Sequence, residues 1–139
     1  MKKRTMIAGL VFFVCVMSFL LIRGSMNTKT FDDFIGKQNP YISKIVMFNG
    51  SNGKMVSTMD KNKIQKLVKL LKNRSYHKAS DQQLRTGFSY SYKFYVGNKE
   101  VLDICDLGGM VNVYGTYYNS TIVPNDGIKN FYNSLIIKW

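Results

Sequence analysis

Histidine and cysteine are nearly absent from this chain. Its 139 residues hold one histidine, His77, and two cysteines, Cys15 and Cys105. A metal site needs several His, Cys or carboxylate ligands at short, defined spacing. No His-x-x-x-His or Cys-x-x-Cys occurs, so no metal and no other cofactor is expected. Cys15 lies in an apolar run and Cys105 far downstream, which leaves no disulfide framework. Acidic residues are also scarce: 8 Asp and Glu face 20 Lys and Arg, a formal net charge of +12. Proline is limited to two residues, and apolar residues make up 45% of the chain. That composition excludes a disordered tail.

The same scarcity argues against catalysis. Asp103 and Asp106 are the closest acids in a strand-like run. Spaced by three, they point to opposite faces and cannot act as a carboxylate pair. Asp106, before Leu107-Gly108-Gly109, reads as a turn residue, and Asp103 as a cross-strand partner for a lysine. Cys105 with His77 is the one formal nucleophile and base combination. Cys105 lies in a strand-like run and reads as core, and no orienting group is evident. Asn125-Asp126-Gly127 is too short for a calcium loop and reads as a helix cap. No Gly-x-x-x-x-Gly-Lys-Ser/Thr phosphate loop is present. The expected class is therefore not an enzyme.

What the chain does have is a long uncharged segment. Residues 5–22 carry no charge over 18 positions. As a helix they would span about 27 Å, close to the hydrocarbon thickness of a bilayer. Lys2, Lys3 and Arg4 precede the run, which keeps the N-terminus cytoplasmic and places the rest outside. The rival is a cleaved signal peptide, which would leave a secreted protein. Its apolar region is usually shorter and ends in a small-x-small site. Here the exit reads Leu21-Ile22-Arg23-Gly24-Ser25, a poor cleavage pair. Cys15 follows Phe12-Phe13-Val14 and lacks the small residue that lipid modification needs. The expected organisation is an anchor over residues 1–25, a tether over 26–40 and an external domain over 41–139. Phe31, Phe34 and Ile35 suggest a short helical turn within the tether, at the membrane or against the domain.

The domain reads as α+β. Residues 41–59 resemble a hairpin turning at Asn49-Gly50-Ser51-Asn52-Gly53. Residues 60–72 form a helix capped by Asp60, with Ile64, Leu67, Val68 and Leu71 on one stripe. Phe88, Tyr90, Tyr92, Phe94 and Val96 alternate along a strand, and Gly97-Asn98 turns it back. Strands over 111–114 and 116–118 follow, with Gly115 as a bulge. A last helix opens at Pro124-Asn125-Asp126 and carries Ile128, Phe131, Tyr132, Leu135 and Ile136. The expected architecture is an antiparallel sheet, hairpin plus meander, covered on one face by two amphipathic helices.

In layout the chain resembles small membrane-anchored or lipoprotein-like proteins of Gram-positive bacteria. The features that carry the resemblance are Lys2-Lys3-Arg4 before the apolar run, the 60–72 helix after a hairpin, and the Tyr-rich 88–96 strand before Gly97-Asn98-Lys99. The resemblance implies extracytoplasmic placement and no catalytic residues.

From residue 31 onward there are 15 basic and 8 acidic residues, so the domain itself is basic. Such a field favours anionic partners or simple solubility. Lys61, Lys63, Lys66, Lys69 and Lys72 project from the 60–72 helix as candidates for docking to anionic envelope polymer or lipid. Tyr90, Tyr92, Tyr95, Tyr114, Tyr117 and Tyr118 would suit sugar or base stacking if they shared an open face. Alternation instead puts most of these rings under the helices. The first expectation is a membrane-held envelope module that binds another protein through an open sheet face or edge, immunity and inhibitor roles included. Electrostatic docking is the alternative. An external domain makes nucleic acid an unexpected partner, and oligomeric state is left open.

Overall fold

The computed structural model describes residues 9, 11–19, 28–121 and 127–136. Residues 11–19 are helical, here called α1. The rest of the expected anchor, and the expected cap at 124–126, lie outside the described residues. Among the described residues no helix is long and apolar enough to cross a membrane.

The domain is α+β, built on one antiparallel sheet of eight strands. In chain order these are β1 (Thr28–Lys29), β2 (Lys44–Asn49), β3 (Met55–Thr58), β4 (Tyr76–Lys78), β5 (Tyr90–Val96), β6 (Lys99–Asp106), β7 (Met110–Val113) and β8 (Thr116–Ser120). Three helices, α2 (Phe31–Ile35), α3 (Lys61–Lys72) and α4 (Ile128–Ile136), supply the buried residues opposite. The strand order is β1-β4-β8-β7-β6-β5-β2-β3. β2 pairs with β5 from Lys44↔Tyr95 to Asn49↔Tyr90, which fuses the hairpin to the meander.

Local chemistry explains the elements. Asp60 caps α3: its Oδ1 accepts from the N–H of Asn62 (2.8 Å) and Lys63 (3.2 Å). Ile64, Leu67, Val68 and Leu71 are all buried. Each such side chain stabilises the packed state by roughly 1.5–3 kcal/mol. They meet Ile45, Met47, Tyr92, Phe94, Leu102 and Ile104, the inward residues of the central strands. In α4, Ile128, Phe131 and Tyr132 are buried and Leu135 packs at the margin. Ile136, expected on the same stripe, is exposed.

The structure corrects the expected tether. Residues 28–41 belong to the domain. β1 pairs with β4 (Thr28↔His77, Lys29↔Tyr76) and so forms the sheet's far edge. Phe31 and Ile35 of α2 are buried, with Phe31 edge-on to Phe94 at 5.5 Å. Phe34 stands edge-on to both Tyr76 and Tyr118 at 5.1 Å. A 3₁₀ segment, Gly36–Tyr41, then leads to β2. The short helical turn expected of Phe31, Phe34 and Ile35 is present and packs against the domain; that β1 before it joins the sheet is visible only in the fold.

One turn also differs from expectation. Tyr114 (φ 49°) and Gly115 (φ 83°) form the two-residue loop between β7 and β8. Positive φ at both positions is the I′ pattern that matches strand twist. Gly115 is thus a turn residue, and the bulge lies at Phe94/Tyr95 instead.

One buried ion pair ties the layers together. Arg74, just after α3, places Nη1 2.7 Å from Oδ2 of Asp106, with side-chain exposures of 2% and 10%. Tyr92 donates its hydroxyl to the same oxygen at 3.3 Å. Gly108 donates its N–H to the other oxygen at 3.0 Å. Asp106 is therefore the turn residue expected, and also a buried charge that sequence did not reveal.

Candidate functional site

The helices cover one face of the sheet, and the other face carries the candidate site. Strand alternation sends Val46 and Phe48 of β2, Ser91, Lys93 and Tyr95 of β5, and Asp103 and Cys105 of β6 to that open side. Met55 of β3 joins them, because its register partner is Phe48.

Part of this face is roofed by the chain between β4 and β5. Gln82 holds that segment by mimicking a strand. Its Nε2 donates to the carbonyls of Ala79 (2.7 Å) and Tyr117 (2.9 Å), and its Oε1 accepts the Tyr117 N–H (2.9 Å). Arg85 donates its N–H to the Tyr117 hydroxyl at 3.0 Å. Tyr117 is buried as a result. Phe88 ends the roof and packs on Phe48, with ring centroids 5.6 Å apart. Phe88 was expected to share a face with Tyr90 and Tyr92. It lies outside β5, after Gly87 at φ 85°, and turns to the opposite side.

Beyond Phe88 none of the described residues covers the face. Val46, Phe48, Met55 and Phe88, with Ser91, Lys93 and Cys105, line a hollow of about 280 Å³. Beside it stands a charged group. Lys93 Nζ lies 2.9 Å from Asp103 and 3.0 Å from Glu100. The hydrogen bonds it donates to Asp103, then Glu100, hold the pKa of the Lys93 ammonium well above its usual range. Ser91 and Tyr95 donate their hydroxyls to Asp103 and Glu100 at 3.3 Å. Lys44 sits 4.4 Å over the Tyr95 ring. The expected pairing of Asp103 with a lysine is met, and Asp103 and Asp106 do face opposite ways.

The hollow adjoins a free sheet edge. Asn49 donates its N–H to Lys54 O at 2.9 Å, which sets the phase of the β2–β3 ladder. Met47/Val56 and Ile45/Thr58 are then the hydrogen-bonded pairs, so Met55 and Ser57 turn N–H and C=O outward. Among the described residues no strand lies beyond β3. β3 carries no charge, proline or bulge of the kind that normally blunts an edge.

Cys105 is half-buried on this open face and not in the helix-side core, a correction to the sequence expectation. The alternating pattern of β6 was legible, but not which of its faces the helices cover. Burial, then Asp103, pushes the thiol above its ordinary value. A reactive thiolate needs the opposite shift. His77 lies on β4, with β8 and β7 between it and β6, so roughly 14 Å separates the strands. The structure does not bring the pair together. Among the described residues no three His, Cys, Asp or Glu side chains gather as a metal set.

The tyrosines do not form one surface either. Tyr92 is buried in the core, and Tyr90 and Tyr118 pack against it. Tyr95 and Tyr117 lie on the open side, and Tyr114 is exposed at its turn.

The α3 lysines divide. Lys61, Lys69 and Lys72 border a cleft of about 510 Å³ between α3 and the 3₁₀ segment, with Asn39, Pro40 and Gln65 among the other walls. Lys72 also pairs with Asp32 at 2.9 Å. Lys63 instead donates to Ser134 O of α4 at 3.4 Å. Lys66 is exposed and does not line the cleft.

Sequence reasoning missed the apolar hollow, although a signal was present. Ile45-Val46-Met47-Phe48 is apolar without alternation, the pattern of a strand with apolar residues on both faces. Comparison with protein-family models, with curated proteins and with solved structures finds no match to this chain.

Proposed function

We propose that this chain is a single-pass, membrane-anchored envelope protein whose external domain binds a partner protein without catalysis. The partner adds an extended strand to the edge of β3 and seats apolar side chains in the adjoining hollow. The observation that carries this reading is the meeting of an unblunted edge with an apolar hollow on one face. Strand addition works in this way: main-chain hydrogen bonds give affinity, and pockets for alternate side chains give specificity. Met55 and Ser57 supply the outward main-chain groups, and Val46, Phe48 and Phe88 supply the pocket.

The anchor reading is supported by the apolar run at 5–22 and by its basic flank. Within it, Val11, Phe12, Phe13, Val14 and Phe19 are more than half exposed, a surface that suits lipid. Ser18 donates its hydroxyl to Val14 O at 2.8 Å, so its polar group is satisfied within the helix. The basic N-terminus places the domain on the outer side.

The test is crosslinking in intact cells with the full-length, C-terminally tagged chain and two variants. Ser57→Pro removes an outward N–H at an edge position where proline is tolerated. Met55→Lys places a charge at the rim of the hollow. One recurrent protein is expected with the wild type and is lost in both variants, while their melting temperatures stay near wild type. Absence of any recurrent protein, or its retention in both folded variants, refutes the proposal.

A further inference from the structure

We infer that the cleft between α3 and the 3₁₀ segment binds the headgroup of an anionic phospholipid in the membrane that anchors the chain. It is a different site from the β3 edge, and it rests on the anchor reading for residues 5–22.

The cleft has two chemical zones. Its rim carries Lys61, Lys69 and Lys72, with the amides of Gln65 and Asn39 between them. Its floor is Ile42, Ile64 and Val68, all buried, and exposed Pro40 stands on the far wall. A cationic rim over an apolar floor suits an amphiphilic anion: phosphate to the ammonium groups, glycerol and upper acyl carbons to the floor. Asp32 lies at this rim, paired with Lys72 at 2.9 Å and accepting a hydrogen bond from the Asn39 side-chain amide at 3.2 Å. That pair is solvent-exposed, and such pairs contribute little. Lys72 can therefore exchange Asp32 for a lipid phosphate at small cost.

Chain length brings the cleft to the lipid. Only five residues separate Ile22 from Thr28, where β1 begins. The six steps between them span at most about 22 Å even when fully extended. β1 runs straight into α2 and then the 3₁₀ segment, which is the cleft's own wall. The wall nearest the anchor in sequence is thus the one facing the lysines. Tyr41, beside Pro40, is 67% exposed. Tyrosine with an apolar ring and polar tip favours the headgroup layer. The excess of basic residues in the domain adds long-range attraction of the same sign.

The experiment is lysine acetylation of the full-length chain in vesicles, with each lysine's rate read by mass spectrometry. Vesicles of phosphatidylcholine alone are compared with vesicles containing phosphatidylglycerol. A bound anion raises the ammonium pKa and lowers the reactive neutral fraction. Lys61, Lys69 and Lys72 are expected to react about fivefold more slowly with phosphatidylglycerol present. Lys66 on the same helix and Lys99 at the β5–β6 turn are expected to change far less. Glycerol 3-phosphate added to phosphatidylcholine vesicles is expected to protect none of them. Equal slowing of all lysines means diffuse attraction and overturns the site. Equal protection by glycerol 3-phosphate means a soluble phosphate site and overturns the lipid assignment. No slowing overturns it outright. Flotation with phosphatidylcholine vesicles is the control: failure to float removes the anchor reading and this inference with it, whereas flotation with any of the other adverse results removes the inference alone.

Discussion

Replacing Arg74 with leucine removes one half of the buried pair that joins the end of α3 to β6. Asp106 keeps the Tyr92 hydroxyl at 3.3 Å and the Gly108 N–H at 3.0 Å, but loses its counter-charge at 2.7 Å. Breaking a buried pair in this way typically costs about 3–5 kcal/mol, because the remaining charge stays out of water. The two surviving hydrogen bonds place Arg74→Leu at the low end, about 3 kcal/mol. For a domain near 100 residues that corresponds to a fall of about 12 °C or more in melting temperature. The double variant Arg74→Leu/Asp106→Leu removes both charges and is expected to recover much of that loss. The coupling between the two sites should exceed about 1.5 kcal/mol. The assay is thermal unfolding of the full-length chain in detergent, followed by near-ultraviolet circular dichroism. The reasoning fails if Arg74→Leu lowers the midpoint by less than about 4 °C. It fails equally if the double variant loses as much as the two single variants together.

Three further outcomes follow from particular contacts. A Cβ on Gly50 would overlap the backbone carbonyl of Phe88, whereas one on Gly53 meets open space but at φ 68°. Gly50→Ala is expected to cost about 1–3 kcal/mol through overpacking, more than the roughly 1 kcal/mol for Gly53→Ala; urea midpoints in the reverse order contradict this. Ser120 Oγ is buried and has no hydrogen-bond partner among the described residues. Ser120→Ala should be neutral or stabilising by up to about 1 kcal/mol, and a loss of that size in thermal unfolding would count against it. The Asp33 carboxylate accepts the Thr30 N–H (2.7 Å) and hydroxyl (2.8 Å), which hold its pKa below the ordinary 3.8. Its stabilisation is complete above that value and lost as pH falls through the lower folded value. Asp33→Asn should therefore be less stable than wild type at neutral pH, with the gap closing in acid; an NMR titration midpoint at or above 3.8 for Asp33 would be incompatible.

The sequence by itself determined the elements whose cause is local. Asp60 followed by a 3.6-residue apolar stripe can only satisfy its first N–H groups and bury Ile64, Leu67, Val68 and Leu71 as a helix. Gly97-Asn98 between alternating runs returns the chain as a hairpin. The α+β antiparallel class followed from those pieces. The tertiary structure decided everything that depends on partners distant in sequence. Phe31 and Phe34 look like residues of a turn in a tether until Phe94 and Tyr76 are placed beneath them. Tyr76–Lys78, three residues with no strand pattern of their own, become a strand only because β8 and β1 lie on either side. Cys105 and Phe88 sit on the open face because helices cover one side of the sheet and the chain before β5 folds over the other. The candidate site shares that origin. Lys61, Lys69 and Lys72 were visible as charges on a helix, but a cleft needs a second wall, and the 3₁₀ segment supplies it. Val46, Phe48 and Met55 were visible as apolar residues in a hairpin. That they form a hollow beside a free edge depends on β3 being the last strand, which is set by the order of pairing and not by any local preference.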